Sequence, residues 1–180
     1  MRTILAALTV LVGATNTVGQ SINPEGTAEF TANKRSHTAR LIFTTRRFNP
    51  SAHRIVRANN CITIDGRIPI GTDCTIPKVE IVSMKLILNG KAIPIPKHLY
   101  SDCYGPPPFS EYQKRGLMKN YLAIRFSDDL AGVFVFLAGG DGAGVYDAMW
   151  ILRRDGRHSR FTNSGGDCHF FDLGCRPSPN

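Results

Sequence analysis

Beyond its N-terminus this 180-residue chain has no run of eighteen apolar side chains, so no later segment is long enough to cross a bilayer as a helix. It carries no His-Glu-x-x-His pair for a peptidase zinc and no Gly-x-Ser-x-Gly elbow for a serine nucleophile, and two common hydrolase signatures are therefore missing. There is no internal repeat and almost no 3.6-residue apolar period, which argues against solenoids and helical folds. Basic residues never exceed two in a row, a scatter that reads as a solvated basic surface.

What is present begins with an address. Met1-Arg2-Thr3 is a short cationic start, residues 4–14 are uncharged and mostly apolar, and small and polar residues follow to Gln20. That is the order of a secretory signal peptide, placed over residues 1–19. Export to the periplasm or the extracellular space is the expectation. Removing Arg2 takes the 22 Lys and Arg to 21 against 14 Asp and Glu, a net charge of +7, which favours an anionic partner in the cell envelope. Another protein is the alternative partner.

The remaining chain has one composition regime and is expected to form a polar lead-in over residues 20–37 and a single β-rich domain over 38–180. Within the lead-in, residues 28–32 are a candidate first strand. Short β-branched and aromatic runs follow at 39–45, 61–64, 67–70, 78–88, 91–95, 121–126, 132–137 and 145–154. Asp65-Gly66, Asn89-Gly90 and Asp155-Gly156 mark hairpins, because a type I′ turn needs left-handed backbone at both central residues. Pro94 cannot donate to a ladder, so the strand returning from Asn89-Gly90 should be short or at an edge. The fold expected is an antiparallel β-sandwich or a partly open barrel, with a short helix around 110–120.

Five cysteines, at 61, 74, 103, 168 and 175, should be mostly oxidised in an exported protein. Local pairing gives Cys61–Cys74 and Cys168–Cys175, leaving Cys103 free or bridged to a second chain in a dimer.

The densest signal is the loop Leu137-Ala-Gly-Gly-Asp-Gly-Ala-Gly-Val-Tyr146. It does not suit a nucleotide: Gly140 and Gly142 begin a dinucleotide fingerprint, but Val145 stands where its third glycine should be, and no Gly-Lys-Ser/Thr follows. It supplies most of a calcium-binding Gly-Gly-x-Gly-x-Asp repeat but not the last carboxylate, so Asp128, Asp129 or Asp147 would have to complete the shell. Asp141, Tyr146 and Asp147 are the ligand-binding candidates. A second cluster, Asp167, Cys168, His169, Asp172 and Cys175, has thiol, imidazole and carboxylate groups that suit zinc, or a small disulfide loop beside a surface histidine. Cys103 has Asp102 beside it and His98 nearby, without the spacing of a nucleophile and its base. Tyr104, Phe109, Tyr112 and Tyr121, interleaved with Lys114, Arg115 and Lys119, either stack a ligand or anchor a loop.

Leu88-Asn89-Gly90 with Ile93-Pro94 and Tyr100, then Gly139-Gly140-Asp141-Gly142-Ala143 and Tyr146, resembles a class of small exported bacterial proteins of uncharacterised function. The resemblance implies a β-rich exported domain and brings no catalytic residues. The expected role is binding or structural, without a cofactor. The alternative is a calcium- or zinc-dependent enzyme or metal-binding protein using residues 139–147 or 167–175.

Overall fold

The computed structural model describes residues 26–58, 60–106, 121–140 and 144–164. Ten strands follow one another: β1 (Thr27–Lys34), β2 (His37–Arg47), β3 (Ile55–Ala58), β4 (Cys61–Ile64), β5 (Val79–Leu88), β6 (Lys91–Ile93), β7 (Leu122–Phe126), β8 (Gly132–Gly139), β9 (Tyr146–Arg153) and β10 (His158–Ser164). Two antiparallel sheets, in orders β1-β2-β5-β6 and β10-β9-β8-β7, form a sandwich. β3 and β4 make a separate hairpin.

The sandwich follows from period-two patterning. In β2, Ala39, Leu41 and Phe43 point inward; in β8, Val133, Val135 and Leu137; in β9, Tyr146, Ala148, Trp150 and Leu152. These side chains share one buried cluster drawn from both sheets. The Phe43 ring meets Trp150 edge-on across the interface at 6.5 Å, and Trp150 Nε1 donates to the Leu99 carbonyl at 2.7 Å, so the indole is buried without losing its polar partner. Polar ties fix the two margins. Lys34 Nζ reaches Asp128 Oδ1 at 2.9 Å from β1 to the turn after β7. On the other margin His158 Nε2 lies 2.9 Å from the Pro94 carbonyl.

One irregularity sets the polarity of an entire strand end. Thr44 faces Ser83, yet Thr45 faces Ile81, so Val82 is an extra residue in β5. Met84, Leu86 and Leu88 point inward above this bulge, and Ile81 still points inward below it. In a regular ladder Val82 would take the place opposite Thr45, Ile81 would pair with Arg46 and Glu80 would turn into the core. The bulge keeps Glu80 opposite Arg46, outside the sandwich.

The turns explain the hairpins and their limits. Asp65 and Gly66 (φ 52° and 78°) and Asn89 and Gly90 (φ 48° and 79°) are both left-handed pairs, as a type I′ turn requires. At Asp155-Gly156 only the glycine is left-handed, at φ 84°. The Asp65-Gly66 turn returns for a single bridge, Ile64 to Arg67, rather than as the expected strand over 67–70. Pro69 has no N–H to offer, and Ile68 is 72% exposed, so nothing holds a longer ladder. β4 pairs instead with β3, which the sequence pattern did not mark. The candidate first strand at 28–32 is observed as β1. β1 lies inside the expected lead-in because Ala28 is buried and Phe30 packs on the core. The segment expected to be helical around 110–120 lies outside the described residues.

Candidate functional site

The glycines around the 139–144 loop are spacers between backbones. Gly139 stands opposite Tyr146, and a Cβ there would lie 2.8 Å from Tyr146 Cζ. Gly71, at φ 93°, is closed in by the Tyr104 carbonyl at 2.5 Å and Tyr146 Cε1 at 2.6 Å from where its Cβ would be. Gly140 N–H donates to the Gly105 carbonyl at 2.8 Å, and a Cβ on Gly144 would come within 2.6 Å of Asp73 N. Three chain segments thus meet with no room for side chains, over the ring of one buried tyrosine. Asp141 lies outside the described residues.

The other two ligand candidates do not form a site together. Tyr146 is buried in the core, its hydroxyl has no hydrogen-bond partner among the described residues, and burial pushes its pKa well above the ordinary value. Asp147 is buried as well, and as the next residue in a strand it points to the opposite face. Asp128 and Asp129 sit at the far end of β8 from Gly139, roughly 25 Å away for a strand of that length, and therefore cannot complete a calcium shell at the loop. Among the described residues no three His, Cys, Asp or Glu side chains converge as metal ligands. Asp167, Cys168, His169, Asp172 and Cys175 lie outside the described residues, as do Phe109, Tyr112, Lys114, Arg115 and Lys119.

Cys61 and Cys74 are bridged. Cys103 is free and 0% exposed. Burial pushes its thiol up to about 12, over the opposing pull of Arg160, so at neutral pH it is an unreactive thiol. Joining it to a second chain would require opening the core, which argues against a bridged dimer through this residue.

The groups that do converge lie where the bulged end of β5 passes beneath the β3–β4 hairpin. Phe48, Ile62, Ile64 and Tyr104 make a small apolar cluster there, separate from the sandwich core. Phe48 stacks on the His53 ring at 4.7 Å and meets Tyr104 edge-on at 5.6 Å. The imidazole is therefore fixed in plane between two carboxylates. Its Nδ1 lies 2.8 Å from Asp65 Oδ2 and its Nε2 3.2 Å from Glu80 Oε2, the second an ion-pair distance at an angle that makes no hydrogen bond. Arg46 Nε donates to Glu80 Oε1 at 2.6 Å. Asp65 also accepts from the Arg54 backbone N–H at 2.9 Å. The His53 hydrogen bond first and this N–H second hold its carboxyl below the usual range.

These residues open into a cleft of about 330 Å³ lined by Arg46, His53, Asp65, Arg67, Glu80, Ile81, Val82, Lys97, His98 and Ser101. Behind its wall sits a buried ionic knot. Asp102 is gripped by both guanidinium nitrogens of Arg160, Nη2 to Oδ2 at 3.0 Å, and by Arg67 Nη2 at 2.8 Å. Arg67 Nη1 donates in addition to the His98 carbonyl at 2.9 Å and to Ser101 Oγ at 3.3 Å. The buried carboxylate thus positions a cation of the cleft wall through a network with few free donors.

Two other depressions, of about 360 and 560 Å³, flank the turn between β7 and β8. One is lined by His37, at the opposite end of β2 from Arg46. Neither has a comparable constellation of bonded charges.

The sequence patterns assembled none of these residues into a site: Asp65 reads as a turn, Glu80, Ile81 and Val82 as part of a strand, Arg46 as one of the scattered basic residues, and His98 as a neighbour of Cys103. Compared with known protein families, curated proteins and solved structures, the chain matches none. No helix among the described residues is long and apolar enough to cross a membrane.

Proposed function

We propose that this is an exported binding module of the cell envelope or extracellular space, and that its cleft receives an anionic partner. The observation that carries the reading is the surplus of cations at the cleft. Arg46, Arg67 and Lys97 line it against Asp65 and Glu80, and each carboxylate is already partly engaged, Glu80 by Arg46 and Asp65 by His53 and the Arg54 N–H. Lys97 is close enough to act on Asp65 through space, yet its ammonium has no hydrogen bond or ion pair among the described residues. Such a cation, on a rim braced by a buried network, binds an anion without first giving up an internal partner. The signal-like N-terminus and the Cys61–Cys74 bridge support the exported setting.

The test is calorimetric titration of the mature protein with a uronate oligomer, inorganic phosphate and vesicles of anionic phospholipid, at low and high salt. At least one of these anions binds, salt weakens the binding, and Lys97→Gln weakens it roughly tenfold, the worth of one charge-assisted hydrogen bond. Absence of binding to all three, or indifference of every binding event to Lys97→Gln, refutes the assignment.

A further inference from the structure

The cleft is as informative in its acceptors as in its cations. A site built for phosphate or for a phospholipid surface gains from donors alone, and an unshielded carboxylate at its mouth would repel such a ligand. Here Asp65 stands at the mouth with its side chain 55% exposed. Two of its roughly four acceptor positions are taken by His53 Nδ1 and Arg54 N–H. The others belong to a side chain more than half exposed. Ser101 Oγ accepts from Arg67 Nη1, which leaves its own O–H to donate. Lys97 supplies an exposed ammonium, and Ile81 and Val82 form an apolar stretch of the lining. At about 330 Å³ the cleft is at the small end of ligand pockets, the scale of a single sugar ring with its substituents.

This is a mixed set: a cation for one negative charge, a carboxylate and a hydroxyl for neighbouring O–H groups, and an apolar wall for C–H edges. We infer that the cleft binds an acidic sugar residue of the uronate type, its carboxylate on Lys97 and its hydroxyls on Asp65 and Ser101. The inference rests on the anion-binding reading above and narrows it to one chemical class. Asp65 acts here as an acceptor for the ligand, and so its loss should weaken binding. For any ligand that is simply an anion, removing the same negative charge should strengthen it.

The experiment uses the full mature protein and four probes: a galacturonate oligomer, a neutral oligomer of the same length with its carboxyls reduced, inorganic phosphate, and anionic phospholipid vesicles. The expected order places the uronate oligomer first, with the neutral oligomer bound roughly tenfold more weakly and phosphate and vesicles weaker still. Asp65→Asn, which the left-handed backbone at that position tolerates, lowers uronate affinity severalfold, and Lys97→Gln lowers it as well. Stronger uronate binding by Asp65→Asn overturns the sugar assignment. So does tighter binding of phosphate or vesicles that Lys97→Gln weakens, although that result leaves the anion cleft standing. If none of the charged probes binds, both readings fall. Should Asp65→Asn not fold, the order of the four probes on the unsubstituted protein decides the question alone.

Discussion

At the scale of single residues, the molecule holds two buried polar groups in opposite conditions. The Tyr146 hydroxyl is enclosed and unpartnered among the described residues, so it contributes desolvation cost and no bond there. Tyr146→Phe should leave the stability unchanged or raise it by up to about 1 kcal/mol in urea unfolding; a clear loss would mean that the hydroxyl has a partner. Asp102, by contrast, is fully engaged by Arg67 and Arg160. Asp102→Asn should cost about 3–5 kcal/mol, because it leaves the largely buried Arg160 charge uncompensated. Combining it with Arg160→Met should return part of that loss. Equal melting temperatures for Asp102→Asn and the unsubstituted protein would show that the knot adds nothing. Neither condition was legible from sequence: Asp102 looked like the neighbour of a thiol, and Tyr146 like a ligand contact. Arg160 reaches Asp102 from 58 positions away, a pairing that no local pattern encodes.

At the scale of elements, the strands of the sandwich were readable because each carries its own evidence. β2, β8 and β9 alternate cleanly, and Asn89-Gly90 states its turn in two residues. The β3–β4 hairpin gave no such evidence. β3 is four residues long, with Val56 and Arg57 exposed, and it is held by partners outside itself. A two-stranded hairpin alone is marginal in water, so this one depends on the Phe48–Tyr104 cluster and on the Cys61–Cys74 bridge. The bridge closes a loop of sequence separation 13, which is worth about 3 kcal/mol by chain entropy. Replacing both cysteines with serine should speed amide exchange in residues 55–64 and leave β8 and β9 protected. Uniform deprotection of the whole chain would show instead that hairpin and sandwich unfold as one unit.

At the scale of the whole molecule, the net charge of +8 on the full chain is offset locally by carboxylates held below their usual range. Hydrogen bonds from Arg40 to Glu29, His53 to Asp65, Lys34 to Asp128 and Arg157 to Asp155 are the leading causes. Asp155 is lowered from 3.8 to about 2. A carboxyl whose folded pKa is depressed stabilises the fold above its unfolded pKa and loses that contribution as pH falls through the folded one. The melting temperature should therefore decline between about pH 4 and pH 2. Asp155→Asn should melt below the unsubstituted protein at neutral pH, with most of that gap gone at the bottom of that window. A gap as large at pH 2 as at neutral pH would contradict the assignment. The candidate site stayed hidden at this scale because it exists only after folding. His53 and Asp65 are 12 positions apart, and Arg46 and Glu80 are 34 apart.

The bulge in β5 makes that assembly conditional on how one residue pairs. Val82 works as a frameshift in the side-chain reading of the strand: residues above it are read by the core, and residues below it alternate in the opposite phase. A strand that took Val82 into a regular ladder opposite Thr45 would keep every chemical group of the cleft and still lose the cleft, since Ile81 would then face Arg46 and Glu80 would be carried inward. Deleting Val82 would instead leave Ile81 opposite Thr45 and Glu80 opposite Arg46 in an unbroken ladder, so the site depends on Val82 being left out of the pairing and not on its side chain.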